Sequence, residues 1–215
     1  NLGWIIFIIS ICLLTIISFF DDLFNVSLIV RLIVQSLCVF VSIYFLFDQL
    51  SLSDFYINIV SNININKAFL DFCILVIVSA FWMWIINLYN FMDGMDGITA
   101  SQVCFFMLGV NILAVFGFLN FDLQLFSLIV FSVCLGFYSV NKPPAKIFLG
   151  DTGAIPLGYM VGLIIIKALF FYNLFIPVLI LSMYHIVDST LTIVIRLMNG
   201  DNIFEAHSSH FYQKI

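Results

Sequence analysis

The chain has 215 residues, of which 64% are hydrophobic and only 9% charged, with 26 Phe; its mean hydropathy is +1.21. No soluble core needs so much apolar surface, so the composition predicts a membrane protein with several spans of roughly 20 residues each. The formal net charge of -5 comes from scattered carboxylates, and the absence of a basic patch argues against nucleic acid as a partner.

In chain order, seven spans are predicted, at roughly 3–20, 28–47, 69–89, 98–118, 124–140, 154–171 and 174–197. The expected class is therefore all-α, a polytopic helical protein forming one membrane domain over residues 1–215. The chain opens on Asn1 and its first apolar run has no basic n-region, which predicts no signal peptide and a true start upstream. Cys12, Cys38, Cys73, Cys104 and Cys134 sit singly inside apolar runs with no CxxC pairing, and read as packing residues.

The polar residues concentrate in the connections. Counting spans places Asp21–Ser27, Asn90–Gly97, Asn141–Gly153 and the tail from Asn199 on one side of the membrane. The Asn-rich segment 48–67 falls on the other side. Lys142, Lys146, Arg196 and Lys214 lie on the first side, with Arg31 just inside the span that leaves it; Lys67 and Lys167 lie toward the second. The positive-inside rule makes the first side cytoplasmic.

Asp21-Asp22 closes the first apolar run. Adjacent carboxylates repel unless a cation or donor intervenes; the pair reads either as a solvated helix end or as a general base beside a metal-bound phosphate. The densest polar stretch is Asn87-Leu88-Tyr89-Asn90-Phe91-Met92-Asp93-Gly94-Met95-Asp96-Gly97. Asn87, Asn90 and Asp93 recur every third residue and would cover a sector of about 120° on a helix. Their oxygens suit a hard cation such as Mg²⁺, which binds through one or two side chains plus substrate phosphates. In Asn141–Gly153, Pro143 and Pro144 stiffen a loop whose Lys142 and Lys146 suit an anionic phosphate or the lipid headgroups, and Asp151 stands at the start of the next span, where it also reads as a simple helix cap. In the tail, His207 and His210 are three apart and fit either a structural role or contact with a pyrophosphate. His185 and Asp188 fall within the last span, where ionisable groups are functional suspects or a mutually satisfied pair.

In this order, these motifs resemble the polyprenyl-phosphate N-acetylhexosamine-1-phosphate transferases, glycosyltransferase family 4, which include the phospho-N-acetylmuramoyl-pentapeptide transferases and an O-antigen-initiating branch. The residues that carry the resemblance are Asp21-Asp22, Asn87-x-x-Asn90-x-x-Asp93-Gly94-x-Asp96-Gly97, Pro144–Asp151 and His207-x-x-His210. The tail is most similar to the O-antigen branch. Ser208 departs from that branch where Arg is usual, and Asn25 stands where some members carry Lys. The family's first spans and the basic loop between them are not in this chain, which is expected to be incomplete at both ends.

The resemblance implies a Mg²⁺-dependent transferase, with Mn²⁺ as a substitute cation, at the cytoplasmic face of a bacterial inner membrane. It would transfer a sugar-1-phosphate from a UDP-N-acetyl amino sugar to undecaprenyl phosphate, releasing UMP and initiating cell-envelope polysaccharide synthesis. Asn90 and Asp151 correspond to metal ligands. Asp21, Asp22, Asp93 and Asp96 correspond to the catalytic carboxylates, and Asn87, Lys146, His207 and His210 to substrate contacts. A homodimer is compatible with the resemblance. The rival is a secondary transporter using His185 and Asp188 as a proton relay; it would place its polar groups near the midplane, whereas most here lie at span ends.

Overall fold

A computed structural model describes residues 2–48 and 67–200. Among these residues the regular structure is entirely helical: α1 (Leu2–Phe24), α2 (Leu28–Asp48), α3 (Lys67–Phe91), α4 (Ile98–Val115), α5 (Phe121–Asn141), α6 (Gly150–Tyr172), α7 (Phe175–Leu181) and α8 (Met183–Asn199). Helices α1 to α6 are each long and apolar enough to cross a membrane, which makes this an all-α, polytopic membrane protein. The seventh predicted span is different: α7 and α8 meet at a 76° bend.

Left-handed residues end several helices. Asn25 (φ 54°) follows α1, Asn173 (φ 54°) follows α6 and Gly200 (φ 77°) follows α8. This is the conformation in which Asn and Gly commonly close a helix. Asn120 begins α5 in the opposite manner, its side chain accepting from the Leu123 amide at 3.1 Å.

The chain forms two compact units. The first comprises Asn1–Ile86 and Asp151–Ile166. Here α1 turns its small polar residues inward: Ser10 and Ser18 are buried with Phe7 and Leu14, while Ile5, Ile9, Ile16 and Phe19 face outward. Small polar residues on the packed face, with bulky apolar ones turned outward, fit a helix for which lipid is the solvent. The core of this unit centres on Tyr159 of α6. Its ring stacks on Phe7 at 5.1 Å and on Trp82 at 4.9 Å. Its hydroxyl hydrogen-bonds with Ser42, and its carbonyl accepts from the Trp82 indole at 3.0 Å. One residue thus ties the first half of α6 to α1, α2 and α3.

The second unit comprises Asn87–Gly150 and Lys167–Ile215. Helices α4 and α5 pack together in it. Gly97 starts α4 at φ 76°, where a Cβ would stand 2.9 Å from the Tyr138 ring of α5; only glycine allows both the backbone angle and the approach. The bend between α7 and α8 is held from two helices. Tyr89 of α3 hydrogen-bonds Ser182 at the break (3.2 Å), and Gln102 of α4 donates to the Leu181 carbonyl at 2.7 Å. Gly109 leaves room for Leu181, whose side chain would lie 2.6 Å from a Cβ there. The 174–197 pattern shows apolar length but not these partners, which is why it reads as one straight span.

Candidate active site

Asp21 and Asp22 occupy the last turn of α1, and Asn25 donates its amide back to the Asp21 carbonyl at 2.9 Å. A helix C-terminus carries the negative end of the peptide dipole and disfavours carboxylates. Two partners offset this. Arg31, in the first turn of α2, donates through Nη1 to Asp21 Oδ2 and, at 2.6 Å, to Asp151 Oδ2. Asp22 meets the N-terminus of α6, accepting from the amides of Asp151 (3.2 Å) and Thr152 (3.0 Å) and from the Thr152 hydroxyl (2.5 Å). A helix N-terminus is the complementary, positive end. Carboxylates about 130 residues apart in the chain therefore share one cluster. The aromatic core around Tyr159, two turns further along α6, fixes that helix against the rest of the unit.

In the second unit, Asn87 and Asn90 lie in the last turns of α3 and are partly buried. The helix stops at Phe91, and the Asp93 amide turns back to the Asn90 carbonyl at 3.2 Å. The expected single helical face of Asn87, Asn90 and Asp93 is thus corrected: the first two are helical, and Asp93 leads into the loop. Asp96 Oδ2 accepts from the Ala145 amide at 2.8 Å. Buried Asn141 donates to the Ile147 carbonyl at 2.9 Å, and the Lys146 amide donates to Val140 at 2.9 Å. These bonds shape the loop 142–149, from which the side chains of Lys142 and Lys146 are exposed. Asp96 acts here as a loop anchor.

His185 and Asp188 lie in α8 beyond the bend, both buried. No hydrogen bond joins them: neither ring nitrogen of His185 has a hydrogen-bond partner, and Asp188 accepts from Thr192 at 3.2 Å. His207 and His210 lie outside the described residues.

Reading the sequence by motif missed Arg31, Thr152 and Asn141 as parts of these clusters. Arg31 carried a usable signal, because a cation inside an apolar run of a membrane protein faces partners, not lipid. Among the described residues no three of His, Cys, Asp or Glu converge as a ready-made metal cage. The donor set nonetheless suits a hard cation. Asp21, Asp22 and Asp151 against Arg31 leave an excess of two negative charges, all on oxygen, and Mg²⁺ needs only one or two protein carboxylates beside phosphates and water.

The chain is similar to known proteins. The chain is 33% identical over 140 residues to a Bacillus subtilis protein named "Probable undecaprenyl-phosphate N-acetylglucosaminyl 1-phosphate transferase", covering 62% of this chain and 38% of that one. It is 34% identical over 124 residues to a phospho-N-acetylmuramoyl-pentapeptide-transferase of Prochlorococcus marinus subsp. pastoris, covering 54% and 31%. The chain thus spans about a third of the length of these relatives. The family model for glycosyl transferase family 4 matches residues 4–169. That interval contains both carboxylate clusters and the loop between α5 and α6, and the chain belongs to glycosyl transferase family 4.

Proposed function

We propose that this chain carries the catalytic centre of a polyprenyl-phosphate sugar-1-phosphate transferase. The donor is a UDP-N-acetyl amino sugar and the acceptor undecaprenyl phosphate, joined at the cytoplasmic face of a bacterial inner membrane. The names of the relatives support the reaction class. The tail His207–Gln213 favours an O-antigen-type product. The observation that carries the reading is the cluster in the first unit, where Arg31 bridges Asp21 and Asp151. A structural helix cap needs one carboxylate; this cluster gathers three carboxylates and a guanidinium at the end of membrane-spanning helices.

An oxygen of the lipid phosphate forms a bond to the donor's β-phosphorus. The bond from that phosphorus to the bridging oxygen breaks, and UMP leaves. A lipid-linked pyrophosphoryl sugar remains. Asn90 and Asp151 are the proposed ligands of Mg²⁺, with Mn²⁺ able to replace it. When bound, the cation supplies charge neutralisation on the diphosphate. In this reading Asp21 takes a proton from the acceptor phosphate, and Arg31, which contacts it, holds its carboxylate in one orientation. Asn87 and Asp93 contact the nucleotide sugar. Asp96 shapes the loop that presents Lys146 to the donor's phosphates. His207 and His210 serve the pyrophosphate side. Most of the protein's contribution is positioning and electrostatic stabilisation, as in other phosphoryl transfers.

The test is Asp151→Ala, assayed for UMP release with Mg²⁺ in membranes containing the protein. The expected loss is about 100-fold or more, the scale of removing one main electrostatic stabiliser. Near-normal turnover would refute the assignment of Asp151. The transporter alternative retains one supporting observation, buried His185 without a hydrogen-bond partner. Substrate flux across proteoliposomes without sugar transfer would favour it.

A further inference from the structure

Helix α6 starts without a cap of its own. The residue at its N-cap position is Leu149, which has no side-chain acceptor, and Gly150 and Asp151 follow at once. The first amides of a helix have no partner within it and are normally satisfied by a Ser, Thr, Asp or Asn side chain at the cap. In this protein the second and third helical amides, those of Asp151 and Thr152, are satisfied by a residue from another helix. Both oxygens of Asp22 are used, Oδ1 on Asp151 and Oδ2 on Thr152, and the Thr152 hydroxyl adds a third bond. Asp21, its neighbour, makes none of these bonds and faces Arg31 instead. The two adjacent carboxylates therefore have different work.

We infer that Asp22 is a positioning residue that caps α6 in trans and so fixes the Asp151 carboxylate on Arg31. The same backbone amide that Asp22 holds belongs to Asp151, whose side chain Arg31 holds at 2.6 Å. Backbone and side chain of Asp151 are thus clamped independently, from the end of α1 and the start of α2. Losing the clamp on the backbone frees the first turn of α6, and a displacement of about 1 Å at a reacting centre can cost 10²-fold in rate. This inference deepens the transferase reading and rests on it for its kinetic arm.

Capping and proton transfer make opposite demands on the side chain, which separates them. Asparagine keeps one acceptor oxygen, enough for the Thr152 amide and hydroxyl, but it leaves the Asp151 amide without an acceptor and cannot serve as a base. The expected result in membrane-embedded protein is that Asp22→Ala loses about 100-fold in UMP release, while Asp22→Asn, which keeps one of the two acceptors, loses at least about tenfold less. Thr152→Val combined with Asp22→Ala should cost little more than Asp22→Ala alone, because both act on one bonded unit. The Asn variant should also lower the thermal midpoint of the purified protein less than the Ala variant does. Loss of 10²-fold or more in both Asp22→Asn and Asp22→Ala, with unchanged midpoints, would overturn the inference and mark Asp22 as a catalytic acid or base. If wild-type membranes release no UMP, the transferase reading fails, and the two midpoints still decide whether Asp22 is a cap.

Discussion

Replacing Arg31 with Met tests whether the cluster in the first unit is held by charge. Both carboxylates contact the same nitrogen, Nη1, so the two Oδ2 atoms are no more than about 5 Å apart. Two like charges at that distance repel by about 3 kcal/mol at an effective dielectric of 20. That dielectric is suitable because the three side chains are 11% to 24% exposed. With the guanidinium gone, this repulsion pushes Asp21 and Asp151 apart. At about 1.4 kcal/mol per tenfold, the expected loss in UMP release is about 100-fold. The geometry also predicts a rescue. Arginine and lysine differ most where the guanidinium forks across two acceptors with two nitrogens. Here one nitrogen makes both contacts, so Arg31→Lys should recover most of the activity. The Met variant should in addition show a larger thermal stabilisation by Mg²⁺ than wild type, since a cation then replaces the missing charge. Turnover of Arg31→Met within threefold of wild type, with an unchanged melting midpoint, would refute the reasoning.

Two further substitutions probe how the clusters are supported. Gly162→Ala places a Cβ 2.3 Å from the Trp82 ring, which is fully buried and locked by its stack and hydrogen bond to Tyr159; overpacking should cost about 1–3 kcal/mol and appear as a lowered melting midpoint in detergent. Gln102→Leu removes the donor to the Leu181 carbonyl at the bend; leaving that group unpaired should cost about 1–3 kcal/mol, and amide exchange should speed up at the junction of α7 and α8.

Helix type and number were legible because a lipid environment demands long apolar runs, and the six helices α1 to α6 correspond to the first six predicted spans. The bend at Ser182 was not legible, because apolar content does not distinguish a straight helix from one held open by Tyr89 and Gln102. Motif spacing found Asp21, Asp22 and Asp151 as suspects but could not divide their work. That division depends on which oxygen meets which donor, and the donors come from residues 10 and about 130 positions away. Asp96 was legible as a polar motif member, whereas its bond to the Ala145 amide is a product of how the loop folds.

One signal in the sequence was stronger than the motifs. Asp21 and Asp22 sit at the C-terminal end of α1, and Arg31 sits at the N-terminal end of α2. Each charge is at the helix end that its dipole disfavours, a cost of about 0.3–1 kcal/mol apiece. A sequence selected for helix stability alone would exchange them, placing the cation last in α1 and the carboxylates first in α2. The reversal is tolerable only if the charges are used together, and the structure shows that they are: the guanidinium faces the carboxylates, and α6 brings its N-terminus to Asp22. Local choices that oppose the helix they lie in, in a chain otherwise consistent with its fold, are where function is expected. In this chain that conflict points to Asp21, Asp22 and Arg31 from charge order alone, and α6 completes the cluster with Asp151.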